Sequence, residues 1–209
     1  MKTRVKKLLL FSAVGVVLLL GTGYFGYKTY RSVRQTRLVK QAREFLDNSE
    51  PRKALLSLQR ALRYNGNDIE ACRLMAQITE AARSPNAILW RDRVVDLKPD
   101  SLDDRLALAR VGLAFGDFAA ATNALNGVSE EGKKTASYNN VAGLVAASSG
   151  QPTVAETHFA EAARLEPSNP APQINLAVVR LQGTNVQKLA AARTALTAIS
   201  QNPTNSALR

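Results

Sequence analysis

The sequence predicts an all-α chain: an array of stacked helical hairpins behind one membrane-spanning helix at the N-terminus. Three observations lead there. Alanine recurs at Ala54, Ala87, Ala121 and Ala155, in steps of 33, 34 and 34 residues. Each of these alanines sits in a run with apolar residues at helical spacing, bounded by turns rich in Gly, Pro, Asn and Ser. Residues 8–27 carry no charge. A period of about 34 residues with helical periodicity is the mark of one hairpin per repeat, so the 209 residues read as a single elongated domain behind its anchor.

Taken in order, residues 1–7, MKTRVKK, form a short basic tail. The uncharged residues 8–27 follow, and twenty residues of helix cover about 30 Å, the thickness of the hydrocarbon layer. Tyr24, Phe25, Tyr27 and Tyr30 gather at the far end of this run, with Lys28, Arg31 and Arg34 just beyond, as at a membrane interface. A single-pass membrane protein with extracytoplasmic, periplasmic repeats is the reading that follows. A cleaved signal peptide, with the apolar residues 8–20 and Gly21 and Gly23 near the cleavage site, stands as the competing reading. Basic residues flank the run on both sides, so charge alone leaves the orientation open.

Residues 1–34 are therefore read as anchor and basic juxtamembrane stalk. From residue 28 to 48 there is neither Gly nor Pro, and Val33, Val39, Ala42, Phe45 and Leu46 return near helical spacing, so the membrane helix is expected to continue into the first repeat. Five hairpins follow over residues 35–205, read as 35–67, 68–100, 101–135, 136–169 and 170–205. Asn65-Gly66-Asn67, Lys98-Pro99-Asp100, Glu166-Pro167-Ser168 and Asn202-Pro203-Thr204 separate them. Residues 206–209 read as the start of a further helix. The last hairpin offers Val186, Leu189, Leu196 and Ile199 with no successor to cover them, whereas repeat arrays need a polar cap.

The fourth hairpin carries the most specific pattern. Its first half holds Val141, Ala142, Leu144 and Val145, broken at Ser148-Ser149-Gly150; its second half opens on Pro152, suited to a first helical turn, and carries Val154, Ala155, Phe159, Ala162 and Leu165 before Pro167. Gly143, Gly150, Ala155, Phe159, Ala162 and Pro167 resemble the signature of the tetratricopeptide repeat (TPR) family of membrane-anchored bacterial type, although Asn139 and Ala146 replace the Trp and Tyr of its first helix. Sliding the pattern along the chain adds Ala54, Ala87, Pro99, Gly116 and Ala121. A fifth copy at Ala191, Ala195, Ala198 and Pro203 requires two extra residues near Gly183-Thr184-Asn185. Gly116-Asp117-Phe118 also resembles the family's inner turn. The resemblance implies a right-handed α-solenoid in which Gly143 and Ala155 allow close helix approach and Phe159 fills the space beside them.

The formal charge of +11 does not belong to the repeats. Residues 1–43 hold ten of the 28 Lys and Arg and none of the 17 acids, so the remainder is close to neutral. An electrostatic footprint for nucleic acid must lie on the folded surface, and no nucleic-acid partner is expected. One Cys and one His leave no internal disulfide and little from which to build a metal or nucleophile site; neither catalysis nor a cofactor is expected. His158, beside Phe159, is read as surface, and the carboxylate pairs Asp103-Asp104 and Glu130-Glu131 as solvated.

What remains is recognition. The resemblance implies a concave groove lined by the first helices, which places Val39, Arg43, Cys72, Arg73, Asp103, Leu106, Arg110, Asn140, Leu144 and Ile174 along it. Val39, Leu106 and Ile174 occupy positions where members that grip a C-terminal carboxylate carry polar residues, so that mode is not expected. The function expected is a membrane-anchored adaptor for a protein or peptide partner, with Arg43, Arg73 and Arg110 as a basic ladder. Two alternatives stand beside it: a structural subunit docking, or pairing with a second copy, through the uncovered C-terminal repeat, and an exported soluble TPR protein.

Overall fold

With no Gly or Pro between residues 28 and 48, nothing in the backbone interrupts the first helix. The computed structural model describes residues 2–201, and side chains at Thr22 and from residue 25 onward; in it α1 spans Lys2–Asp47. Then come α2 (Pro51–Tyr64), α3 (Ile69–Ala81), α4 (Asn86–Leu97), α5 (Leu102–Ala114) and α6 (Phe118–Asn126). A four-residue helix, α7 (Glu130–Lys133), precedes α8 (Ala136–Ser148), α9 (Pro152–Leu165), α10 (Pro170–Leu181) and α11 (Val186–Gln201). Among the described residues there is no strand, so the chain is all-α. None of their helices is long and apolar enough to cross a membrane. Most side chains of the uncharged run 8–27, and all of Pro203 and residues 206–209, lie outside what is described.

The chain divides into two compact units, one up to Ile78 and one from Thr79. In the first, α1 packs against α2, burying Val39 and Ala42 of the former and Ala54, Leu58 and Ala61 of the latter. The α2 sequence explains this: Ala54, Leu58 and Ala61 recur at i, i+4 and i+7 on one face, and Pro51 costs nothing in the first turn. In the second unit α4 packs on α5, α5 on α6 and α8, α8 on α9, α9 on α10 and α10 on α11. Two apolar clusters hold it together. One joins Val95, Leu106, Leu108, Ala121, Leu125, Val141 and Val145, and the other Ala146, Ala155, Phe159 and Val179.

Each first helix from α3 onward starts on a side-chain cap at the same repeat position. Asp68, Ser101, Thr135 and Asn169 accept from backbone N–H groups in the first turns of α3, α5, α8 and α10, satisfying donors the helix leaves open. The inner turns repeat as well. Ser49, Arg83, Gly116 and Gly150 all have positive φ, at 58°, 53°, 74° and 72°, and the residue after each donates back into the preceding helix. These bonds are Glu50 to Phe45 (2.7 Å), Ser84 to Thr79 (2.9 Å), Asp117 to Gly112 (2.8 Å) and Gln151 to Ala146 (2.9 Å), the 6→1 closure of a Schellman turn. Two of four such positions carry a Cβ that crowds the following carbonyl at roughly 1–2 kcal/mol. Ser49→Gly and Arg83→Gly should therefore each raise stability by about 0.5–1 kcal/mol after the added chain entropy of glycine. Chemical denaturation of the double variant checks this; an unchanged midpoint refutes it.

The fifth hairpin corrects the sequence register. Ala191, Ala195 and Ala198 are exposed, and Ala192 is the buried alanine, with Leu196 and Ile199 half-buried. The residues equivalent to Ala155, Phe159 and Ala162 are thus Ala192, Leu196 and Ile199, with three extra residues rather than two. The turn accounts for it: Gly183 donates to Arg180 without the 6→1 bond, and Asn185 caps α11 through the Lys188 and Leu189 N–H groups. In the fourth hairpin, Val154 and Leu165 are exposed rather than on the buried face.

Candidate partner-binding face

In the second unit α8 packs against both α5 and α10, so one face of these three helices forms a continuous surface. On α5, Asp103 and Arg110 are exposed, whereas Leu106 lies in the core. Leu106 is therefore no contact residue; it is fully buried in the cluster with Ala109, Leu125 and Val141. On α8, Asn140 and Leu144 are half-buried, followed at i+7 by half-buried Ala147. On α10, Ile174 is half-buried, and Val178 and Leu181 continue its stripe at i+4 and i+7 with exposed side chains. The sequence reading missed these two, although their spacing from Ile174 marks them. Asn175 donates to Asn140 Oδ1 at 3.0 Å, tying α10 to α8 along the face. The surface runs from charged on α5 through mixed on α8 to apolar on α10.

In the first unit the predicted contacts fare differently. Val39 and Cys72 are buried because each falls on the packed stripe of its helix, and the Cys72 thiol lies 3.9 Å from the Gly66 carbonyl oxygen. Neither can touch a partner. Arg43 is exposed but donates to Glu70 in an ion pair, and this carboxylate holds its pKa above the ordinary value. Arg73 is half-buried. The basic ladder therefore fails at its first rung, because Arg43 already has a counter-charge 27 residues further on. Arg110 makes no ion pair among the described residues and remains an available cation.

The signature residues fall into two groups. Ala54, Ala87, Ala121, Ala155, Gly143, Phe159 and Ala162 are buried, and a Cβ on Gly143 would lie 2.6 Å from the Phe159 ring. Pro99, Gly116, Gly150 and Pro167 sit exposed in turns, where they shape the backbone rather than pack.

Asn139, standing where the signature has Trp, is buried and polar. Its Nδ2 donates to the carbonyls of Lys133 and Thr135, each at 3.0 Å, which turns Oδ1 toward His158 Nδ1 at 2.9 Å. The acceptor requires His158 to carry its proton on Nδ1. His158 is thus half-buried rather than outward, with Tyr138 edge-on to it at 6.3 Å, and burial pushes its pKa below 6.5. A base whose folded pKa is depressed contributes stability that is complete above the unfolded value and is lost as pH falls through the folded one. The single histidine should titrate by NMR with a midpoint below 6.5, and stability should decline on acidification below that value. In His158→Gln, which keeps a donor for Asn139, that part of the pH slope should vanish; an unaltered slope refutes the assignment.

The carboxylates divide in the same way. Asp104 is 5% exposed because it shares a stripe with Leu108 and Val111, contrary to its reading as solvated. Glu156 accepts from Arg180 at 2.9 Å and Lys188 at 2.7 Å, pinning α9 to α10 and α11. Among the described residues no group of His, Cys, Asp and Glu could hold a metal ion.

No protein-family model matches the chain, and no curated protein matches it. Solved structures do. MamA from Desulfovibrio magneticus RS-1 is 18% identical, with 79% of this chain and 92% of that one covered and a TM-score of 0.68. TTC0263, a thermophilic TPR protein of Thermus thermophilus, is 23% identical over 84% of this chain and 95% of that one, at a TM-score of 0.61. YrrB, a TPR protein with an unusual peptide-binding site, is 14% identical over 80% and 87% of the two chains, at 0.65. The chain has the tetratricopeptide repeat fold.

Proposed function

We propose that this chain is a membrane-anchored, non-catalytic scaffold that holds a protein or peptide segment on the first-helix face of α5, α8 and α10. The observation that carries the reading is the strip of Leu144, Ile174, Val178 and Leu181 across two adjoining helices, bordered by Asp103 and Arg110. Apolar side chains left half-buried or partly exposed on a helical surface gain by burial, at about 25 cal/mol per Å². The charges at the border contribute about 0–1 kcal/mol each and set register more than affinity. A fold-level analogy supports it: YrrB is named for a peptide-binding site. The uncharged residues 8–27 and the passage of α1 directly into the first hairpin support anchoring through one span; the short basic tail at residues 1–7, which would stay inside, and the lone Cys72, which tolerates oxidation, fit repeats in the periplasm.

The test is site-specific photo-crosslinking in membranes, with the reactive group at Val178 or at Leu196. Crosslinks at Val178 that Leu144→Glu abolishes are the expected result. Crosslinks confined to Leu196 would favour the alternative, a structural subunit or self-associating chain docking through α11, whose Val186 is 77% exposed. Retention of the full-length chain after alkaline carbonate extraction supports the anchor, and release of a shortened product overturns it in favour of a cleaved signal. Protection of the repeats from protease added to spheroplasts would place them in the cytoplasm instead.

A further inference from the structure

We propose that the cleft between α1 and the end of α2 binds the phosphate of an anionic phospholipid. The inference rests on the anchored reading for its membrane and on the following geometry for its site. Arg31 and Arg34 lie one helical turn apart on α1, Arg60 and Arg63 one turn apart on α2, and together with Tyr27 and Tyr64 they line a cleft of about 510 Å³. Arg31 Nη2 donates to the Arg63 and Tyr64 carbonyls, at 3.4 and 2.5 Å, and its guanidinium stands 5.7 Å from the Tyr27 ring centroid. These are orphan carbonyls at the end of α2, so Arg31 is held in place without being neutralised. Arg34 Nε donates to the Tyr30 hydroxyl at 3.0 Å, again with no loss of charge.

None of the four guanidiniums makes an ion pair among the described residues. Among the described residues no carboxylate lines the cleft, and Asp68, at the start of α3, accepts from Gln35 and caps α3 through the Ala71 N–H, so it is already engaged. Four like charges around one cleft repel one another until an anion enters. The planar fork of each guanidinium matches phosphate oxygens in pairs.

Position selects the source of that phosphate. Arg31 and Arg34 follow Tyr27, the last residue of the uncharged run, by about 6 and 10 Å of helix rise; a headgroup layer about 5–7 Å deep beyond the hydrocarbon puts Arg31 within it and Arg34 at its outer edge, in reach through its long side chain. Phe25, Tyr27, Tyr30 and Val33 are exposed at the same end, and aromatic rings of this kind favour that layer. Basic residues beside a span attract anionic headgroups. Two guanidiniums held in place on α1, facing two more on α2 across the same cleft, convert this diffuse attraction into a site.

The experiment uses the full chain in zwitterionic micelles. Its melting is followed against dihexanoyl phosphatidylglycerol, dihexanoyl phosphatidylcholine, inorganic phosphate and a short oligonucleotide. Phosphatidylglycerol should raise the melting temperature in a saturable way, phosphatidylcholine should not, and half-saturation by phosphate should need at least ten-fold more ligand. Arg60→Gln with Arg63→Gln, both exposed positions, should weaken half-saturation by phosphatidylglycerol ten-fold or more, and Arg34→Gln alone should weaken it several-fold. An equal response to phosphatidylcholine, equal potency of free phosphate, tighter binding of the oligonucleotide, or unaltered half-saturation in both variants overturns the proposal. Carbonate extraction separates the two readings. Release of the chain with lipid binding intact sinks the anchor alone, and retention without lipid preference sinks the site alone.

Discussion

Ala155→Arg is expected to cost about 3 kcal/mol or more and to open the hairpin of α8 and α9. Ala155 is 0% exposed and lies in one cluster with Ala146, Phe159 and Val179. A guanidinium there must either be buried without a partner or push the helices apart, and both belong to the mechanisms that produce large losses. Against a total stability of about 5–15 kcal/mol, that is a large fraction. Val154→Arg, one residue earlier and 45% exposed, should change stability by no more than about 0.5 kcal/mol. Denaturant midpoints of the two variants decide the matter, and equal midpoints would mean that α9 does not present Ala155 to α8. The same pair of measurements at Ala192 and Ala191 tests the last hairpin, where Ala192→Arg should be the damaging change.

The alanine ladder was legible because the crossing of two helices admits only a small side chain, and that demand returns once per repeat. Ala54, Ala87, Ala121 and Ala155 are all fully buried, whereas Pro99 and Pro167, read from the same signature, act only in turns. Legibility fails where residue type stops discriminating. Ala190, Ala191 and Ala192 are consecutive, so alanine cannot set the register of α11; the spacing of Leu196 and Ile199 could have. The left-handed turn positions were visible at Gly116 and Gly150 and hidden at Ser49 and Arg83, where only the 34- and 33-residue steps mark them.

Polar partners across the fold were the least accessible. Nothing local to Arg43 announces Glu70, so an exposed arginine read as a groove cation turns out to be paired. His158 was read as outward because its neighbour Phe159 packs inward, yet the opposite helix places Asn139 against it. Asn139 itself looked like a departure from the repeat signature. Its three bonds show how a buried amide can replace a large aromatic: it fixes the segment around α7 through Lys133 and Thr135 and binds α9 through His158. The short α7, capped by Ser129 through the Gly132 N–H, left no mark in the sequence because four residues show no periodicity.

Gly112→Val is expected to cost about 3 kcal/mol or more, above the usual range for overpacking. A Cβ at Gly112 would lie 2.8 Å from the Asp117 carbonyl oxygen and 2.9 Å from the Ala121 nitrogen, with the Ala121 Cβ at 3.2 Å. The first two neighbours are backbone, so no side chain can rotate away. The Gly112 carbonyl also accepts the Asp117 N–H that closes the inner turn, at 2.8 Å. Moving the turn outward to admit a side chain would stretch that bond and separate α6 from α5 at the crossing where Ala121 is fully buried. Gly143 provides the comparison. Its added Cβ meets only the Phe159 ring, a side chain that can shift within its cluster, so Gly143→Ala should cost less than Gly112→Ala even though its nearest approach, 2.6 Å, is the shorter. Alanine in place of either glycine regains about 0.5–1 kcal/mol of helix propensity, which leaves Gly112→Ala at about 1–2 kcal/mol of net loss. Denaturation midpoints of the three variants rank the two sites; a Gly112→Val chain as stable as Gly143→Ala would mean that the α5–α6 turn does not rest on Gly112.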